Sequence, residues 1–360
     1  MNGAPKARRV AALMARVRGL LRTGAGAFPP RAGGVADAPA NPADLRAERT
    51  LRGLAVLVLA LIAAMLAFVF AKAWPSFAHN GLAWFAAGGN VDRQLTAIFN
   101  SPADPDRWVY EIRAWPLLYA TALVTVGAVI LALPLALLAA VFITEFAPRS
   151  LAAVLRAVVR LLAAVPSVVY GLLGILVLVP FVDHYLISDA RKASVAGVVQ
   201  LDGSSVLVAT IVLTVMIAPI MIAITCDALA AVPRLWLEGA LALGVNRWRV
   251  MRTVALRAVR PAIVAATVLA VGRALGEAIM LSMVSGSVAF APNPLDGLTF
   301  FFEPARPLAA TIVDNAEGLS VKPFAQTLYS FAAVLLVSTM ALSFIGWRLR
   351  RSLALPGVGR

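Results

Sequence analysis

An arginine and a glutamate stand four residues apart, Arg273 and Glu277, inside the apolar segment AIVAATVLAVGRALGEAIMLSMVSG at 262–286. A charge near the centre of a bilayer span costs roughly 2.5–3.5 kcal/mol on insertion scales, so such residues face a protein interior or a watery path. In a continuous helix, four residues advance about 6 Å and return to nearly the same face. Arg273 and Glu277 are therefore expected to neutralise each other. The guanidinium also offers a planar fork of donors suited to phosphate-like oxyanions. Two roles fit the pair. It is a contact for a passing anion, with the glutamate as resting partner or gate, or it is a buried ion pair that fixes helix packing. Gly272 and Gly276 beside it are expected to let another backbone come close.

The elements that must position this pair are apolar throughout. The 360 residues are 61% hydrophobic and only 14% charged, with a mean hydropathy of +0.86. That is the profile of a polytopic membrane protein. Six apolar stretches, near 52–73, 117–142, 158–182, 205–226, 262–285 and 326–347, each reach the ~20 residues needed to cross the hydrocarbon layer. Inside lipid every backbone polar group needs an internal partner, so all six are predicted to be helices and the fold all-α. Pro134, Pro166, Pro180 and Pro219 interrupt these stretches, as in broken transporter helices and in plain kinks alike. Residues 1–50 are a basic, Pro/Ala/Gly-rich extension, 51–350 the six-helix membrane domain, and 351–360 a tail.

The net charge of +14 is a topology signal. Ten of the 32 Lys and Arg precede the first span, and six (Arg234, Arg247, Arg249, Arg252, Arg257, Arg260) crowd the loop after the fourth. Basic residues favour the cytoplasmic side, so both termini and the 227–261 loop are predicted to be cytoplasmic. The same charge suits lipid headgroups and gives no reason to invoke nucleic acid. Residues 1–50 are expected to be a disordered cytoplasmic tail, the other reading being a basic surface helix over 1–21 followed by a linker. Trp74, Trp84, Trp108 and Trp115 of the first external loop are expected as interfacial anchors. His79 and His184 are expected in external loops, without metal-ligand spacing.

The basic loop after span four carries a second pattern. Glu238-Gly239-Ala240 is followed after three residues by Gly244, and after nine more by Val254-Ala255-Leu256. This resembles the EAA loop of ABC importer permeases. It departs from that pattern at Gly239, where the family has Ala, and at Arg257, where it has Pro; Pro261 offers a substitute break before span five. Further segments narrow the resemblance. Leu162-Ala163-Ala164-Val165-Pro166-Ser167-Val168-Val169-Tyr170-Gly171 is similar to the AAIPSIVYG signature of phosphate importer permeases, and Gly272-Arg273-Ala274-Leu275-Gly276-Glu277 to their GRALGE helix. Trp74-Pro75-Ser76 with Gly81-Leu82-Ala83, and Phe142-Ile143-Thr144-Glu145-Phe146-Ala147-Pro148, match in the same order. Ala278-Ile279-Met280 after the GRALGE helix resembles the PstC type more than its PstA sister.

The resemblance implies a type I ABC importer permease fold in a bacterial inner membrane. It implies that Arg273 and Glu277 serve phosphate passage, and that Ser167 and Tyr170 lie on a conduction-associated motif, where their hydroxyls can bond an oxyanion or only pack. It further implies that Glu238, Gly239, Ala240 and Gly244 form a coupling helix for a cytoplasmic ATPase. The implied partners are a PstA-type sister permease, two ATPase subunits and an external phosphate-binding protein. No G-x-x-x-x-G-K-[ST] loop occurs in the sequence, so ATP and magnesium are expected on the ATPase subunits and not on this chain. A phosphate-sensing scaffold, or a permease for phosphonate or molybdate, is the alternative. A membrane enzyme is disfavoured, since no nucleophile–base pairing is apparent.

Overall fold

The computed structural model describes residues 42–102 and 104–353, so residues 1–41, with most of the expected N-terminal tail and its alternative surface helix and linker, and most of the 351–360 tail lie outside the described residues. By internal contacts the chain divides into two units, Met1–Ile62 with Pro356–Arg360, and Ala63–Leu355. Of the first unit, the described part is the opening half of a 39-residue helix α1, Pro42–Asn80. Leu51, Leu54, Val58 and Ile62 on it all expose their side chains.

The second unit holds the rest. After the end of α1 come a short helix α2 (Val91–Phe99) and then α3 (Trp115–Phe146), α4 (Arg149–Ala164) and α5 (Ser167–Leu186). Next are α6 (Val206–Ala230), α7 (Arg234–Ala242), α8 (Arg247–Ala258) and α9 (Arg260–Leu275). The chain finishes with α10 (Ile279–Val284), α11 (Leu308–Asp314) and α12 (Lys322–Leu353). Among the described residues five helices are long and apolar enough to cross a membrane, and a sixth if the bent pair α8–α9 is one span. The architecture is all-α, with an isolated bridge between Gly286 and Ala305.

The centre of the unit is the α3–α6 pair. On α3 the positions Ala120, Val124, Ala128, Ala132, Ala136 and Ala140 recur every fourth residue and are all buried. Small side chains on one helical stripe let a neighbouring helix come close, which is how apolar helices associate where no hydrophobic drive separates protein from lipid. Thr210 of α6 reaches this surface, with its Cγ2 3.1 Å from where a methyl on Gly127 would stand. Thr214 donates to the Ala128 carbonyl at 3.3 Å while keeping its own-helix bond to Thr210 at 2.7 Å.

Four expectations are corrected. First, the third span does not begin at 158. Pro166 cannot donate a backbone hydrogen bond and turns Val165 to extended backbone, so α4 ends at Ala164 and the apolar span α5 starts at Ser167. α4 is an amphipathic helix carrying Arg149, Arg156 and Arg160. Second, the segment 262–285 is not one helix. It breaks at Gly276–Ala278, between α9 and α10. At its other end the chain bends by 70° between α8 and α9, with Pro261 in the first turn of α9.

Third, α1 continues through Pro75 to Asn80, so the loop after the first span opens at Gly81, where φ is +53°. Within that loop Trp84 is no interfacial anchor. It is fully buried, stacks near Phe77 and Phe331, and donates from Nε1 to Ser330 Oγ at 3.0 Å. An indole buried in this way brings large apolar area and needs the one hydrogen bond it makes. Trp74 and Trp115 do remain exposed. Fourth, His79 and His184 lie in the last turns of α1 and α5 and not in loops.

Candidate functional site

Arg273 sits in the last turn of α9 and Glu277 just beyond its end. α9 terminates because Gly276 closes it: its N–H bonds the Gly272 carbonyl at 3.4 Å, and the Glu277 N–H bonds the Ala274 carbonyl at 3.2 Å. The last four carbonyls of a helix lack intrahelical partners, and a cation in the last turn is favoured there. Glu277 meets the opposite end of the next helix. Its Oε1 accepts from the Met280 backbone N–H at 3.2 Å, near the start of α10, where a negative group is favoured. Glu277 is only 8% exposed and Met280 fully buried, so that bond is sheltered.

The expected mutual neutralisation does not form. Among the described residues the ion pairs include none of Arg273 or Glu277. The helix break is the reason, because the i, i+4 geometry requires continuous helix. Arg273 Nε is instead buried without a hydrogen-bond partner. Arg273 lines an open-sided cavity of about 640 Å³ between α6, α9 and α12, together with Ile220, Leu269, Gly272, Ser343, Trp347 and Arg350 among others. No carboxylate among the described residues lines this cavity.

Gly272 and Gly276 are not the close-approach glycines that their position suggested. A methyl on Gly272 would meet only Thr339 Cγ2, at 3.8 Å, and one on Gly276 only carbonyl oxygens of its own chain segment, at 3.7 and 3.8 Å. Tight contacts occur instead at Gly346 of α12, where a methyl would run into Val268 Cγ2 of α9, and on α5. A methyl on Gly171 would stand 3.1 Å from the Met280 Cα, and one on Gly174 2.6 Å from Val284 Cγ1. These two glycines seat α5 directly on α10 and so hold the segment that Glu277 caps.

Ser167 and Tyr170 lie on the first turn of α5. The Tyr170 hydroxyl donates at 2.8 Å to the Leu162 carbonyl, which also accepts from the Val165 N–H at 3.2 Å where α4 ends. That bond ties α5 back onto α4 across the Pro166 break. Tyr170 is also within electrostatic range of Arg273. Ser167 is half-buried. Neither residue, nor Glu277, forms part of the wall around the Arg273 cavity.

Glu238, Gly239 and Ala240 fall on the nine-residue helix α7. Gly244 follows it with φ +77°, a left-handed turn that favours glycine. Glu238, Gly239 and Gly244 are exposed, and Leu235, Trp236, Leu241 and Leu243 of the same segment expose apolar surface. No atom lies within 4 Å of where a Gly239 methyl would stand. The helix therefore presents a mixed acidic and apolar face that the described residues leave uncovered.

Sequence reasoning missed two groups. Ser343 and Arg350 join Arg273 in the cavity, and their spacing on α12 shows which face they share only once that face is known. The other is a clamp far from the cavity. Arg306, 7% exposed, is ion-paired with Asp92 in the first turn of α2 and donates from Nη1 to the Ser287 carbonyl at 3.2 Å. It joins loops more than two hundred residues apart, which no local pattern announces. Nearby, burial pushes the Glu303 carboxyl above its ordinary value, although it accepts from the Asn293 N–H at 3.2 Å.

Comparison with known proteins matches this arrangement to one kind of molecule. The model of the family described as "Binding-protein-dependent transport system inner membrane component" matches residues 132–351. The probable ABC transporter permease protein YqgH of Bacillus subtilis is 34% identical over 254 residues, covering 70% of this chain and 75% of that one. The phosphate transport system permease protein PstC 1 of Mycobacterium tuberculosis is 36% identical over 275 residues, covering 72% of this chain and 79% of that one. Among solved structures, a bacterial alginate ABC transporter in complex with its alginate-bound periplasmic protein aligns with a TM-score of 0.55 at 13% identity. That alignment covers 88% of this chain and 98% of the other, and it speaks for the fold alone.

Proposed function

The chain belongs to the binding-protein-dependent transport system inner membrane components, as a multi-pass ABC importer permease similar to PstC, and we propose that it forms the path by which inorganic phosphate crosses the membrane. The observation that carries this reading is Arg273: it has a buried, unpartnered Nε and lines a cavity that no carboxylate among the described residues shares. An arginine locked to Glu277 would present no net charge to an anion. An arginine held by a helix end alone keeps its donors for one.

The partners follow from the same reading. A sister permease of PstA type completes the path, and an external phosphate-binding protein delivers the anion. Two ATPase subunits, which carry ATP and magnesium, grip α7 of this chain and its counterpart in the sister. The exposed apolar face of α7 and the left-handed turn at Gly244 support that assignment. On this reading α7 and both termini face the cytoplasm of a bacterial cell, which the basic segments around them support.

The test is phosphate uptake by the assembled transporter in proteoliposomes with Arg273→Gln. A hydrogen bond to a charged group contributes about 1.5–3 kcal/mol. Uptake is expected to fall by about tenfold or more, with subunit composition unchanged. Uptake at the unsubstituted rate would reject the role of Arg273.

A further inference from the structure

The Arg273 cavity is bordered by a second arginine. Arg350 lines it from the far end of α12, on the same face as Ser343. From Ser343 to Arg350 is seven residues, two helical turns and about 10 Å of rise. Arg273 from α9 and Ser343 and Arg350 from α12 thus border the cavity from two helices, and the remainder is mostly apolar, as at Val268 and Leu269. Thr339, the next turn inward, gives its hydroxyl to the Leu335 carbonyl at 2.9 Å and is not free to donate.

Arg350 is also distinct from its neighbour. Arg351 lies over the Trp347 ring, 3.9 Å from its centroid, whereas Arg350 is exposed and takes part in no ion pair among the described residues. Arg273 and Arg350 border one space that no carboxylate lines among the described residues, so an oxyanion entering it meets positive charge without displacing an acidic side chain.

We propose that Arg350 with Ser343 is a second binding station for a tetrahedral phosphate oxyanion, receiving it from Arg273 at the end of the last span. This rests on the phosphate-path reading above. The same chemistry is offered by free phosphate and by a phospholipid headgroup whose chains lie on the apolar wall. Arg350→Gln, Arg350→Lys and Arg350→Glu are compared in the reconstituted complex, with Arg273→Gln alongside. Uptake of inorganic phosphate is measured together with phospholipid retained on the delipidated complex by mass spectrometry.

Free phosphate at the station is expected to give a roughly tenfold loss of uptake in Arg350→Gln, a larger loss in Arg350→Glu and partial recovery in Arg350→Lys. Retained lipid is then unchanged. Whole uptake with loss of one tightly held phospholipid assigns the station to a headgroup. Uptake and lipid both unchanged in all three Arg350 variants overturns the proposal, and so does loss of the sister subunit, which would make Arg350 an interface residue. Normal uptake in Arg273→Gln sinks the phosphate-path reading itself. A block there, with Arg350 variants normal for uptake and lipid, sinks only the second station.

Discussion

Glu277 offers the sharpest separation between the role its spacing suggests and the role its contacts show. In the structure the carboxylate caps α10 through the Met280 N–H at 3.2 Å and forms no ion pair. Glu277→Ala removes that acceptor and leaves a backbone donor orphaned at a fully buried residue. An orphaned buried donor costs about 1–3 kcal/mol, or roughly 5- to 150-fold in the ratio of folded to unfolded protein. Glu277→Gln keeps an acceptor oxygen in the same place and gives up only the charge. Its expected cost is below about 1 kcal/mol, since charge-assisted bonds are roughly twice as strong as neutral ones. Were Glu277 the buried counter-ion of Arg273, Gln would strand a charge and cost about 3–5 kcal/mol. Both variants are titrated with denaturing detergent, reading loss of helical circular dichroism from the purified complex. Capping predicts Ala clearly worse than Gln. Gln as damaging as Ala, combined with recovery when Arg273→Gln is added, would refute the capping argument and restore the ion pair.

Gly174→Ala should destabilise the α5–α10 contact by about 1–3 kcal/mol, because its methyl would stand 2.6 Å from Val284 Cγ1; recovery in the double variant with Val284→Ala checks the contact. Gly239→Ala should raise the stability of α7 by about 0.5–1 kcal/mol, with space open around it, and leave ATPase co-purification intact; Glu238→Lys should lose the ATPase, and retention would reject the docking role of α7. Glu303 holds its proton more tightly in the folded protein than in the unfolded chain. Its contribution to stability therefore falls as pH rises from the ordinary value of 4.5 through the raised one. Glu303→Gln, which keeps an acceptor for the Asn293 N–H, should gain on the parent in melting temperature across that rise, and an offset independent of pH would refute the assignment.

Much of this was legible in the sequence, for physical reasons. Apolar length reports spans because lipid forces backbone hydrogen bonds inside the helix. The spacing of Gly244 after the Glu-Gly-Ala run was visible too, and in the structure it falls at a left-handed turn, where positive φ favours glycine. What failed was helix continuity. The segment 262–285 holds no proline between Pro261 and its end, so nothing in its hydropathy marks a stop at Gly276, which tolerates helix and turn alike. Pro166 was visible, yet its effect on the third span depended on whether the three arginines of α4 lay inside or outside the bilayer. The Asp92–Arg306 clamp and the Arg273–Arg350 cavity join residues distant in sequence, and a single chain carries no local signal for either.

The break at Gly276 changes what the two buried charges mean. In one continuous helix Arg273 and Glu277 would compensate each other, and an arriving anion would have to displace a carboxylate already in place. With the helix interrupted, each charge is matched to the helix end of opposite partial charge. Each such match contributes about 0.3–1 kcal/mol at an exposed site and up to about 2 kcal/mol when partly buried. The insertion cost of roughly 2.5–3.5 kcal/mol for the arginine is then offset only in part. Under the phosphate-path proposal this shortfall suits a translocation site: local support enough to hold a guanidinium within an apolar segment, and too little to satisfy it. A mobile oxyanion can supply the remainder and leave again, whereas a permanent carboxylate partner would close the account. Restoring a counter-ion should therefore block passage without disturbing the fold. Leu269, one helical turn before Arg273 and lining the same cavity, is the place to do so. Leu269→Glu is expected to leave the complex assembled and abolish uptake, while Leu269→Gln stays active. Equal activity of the two would show that Arg273 does not need its charge free.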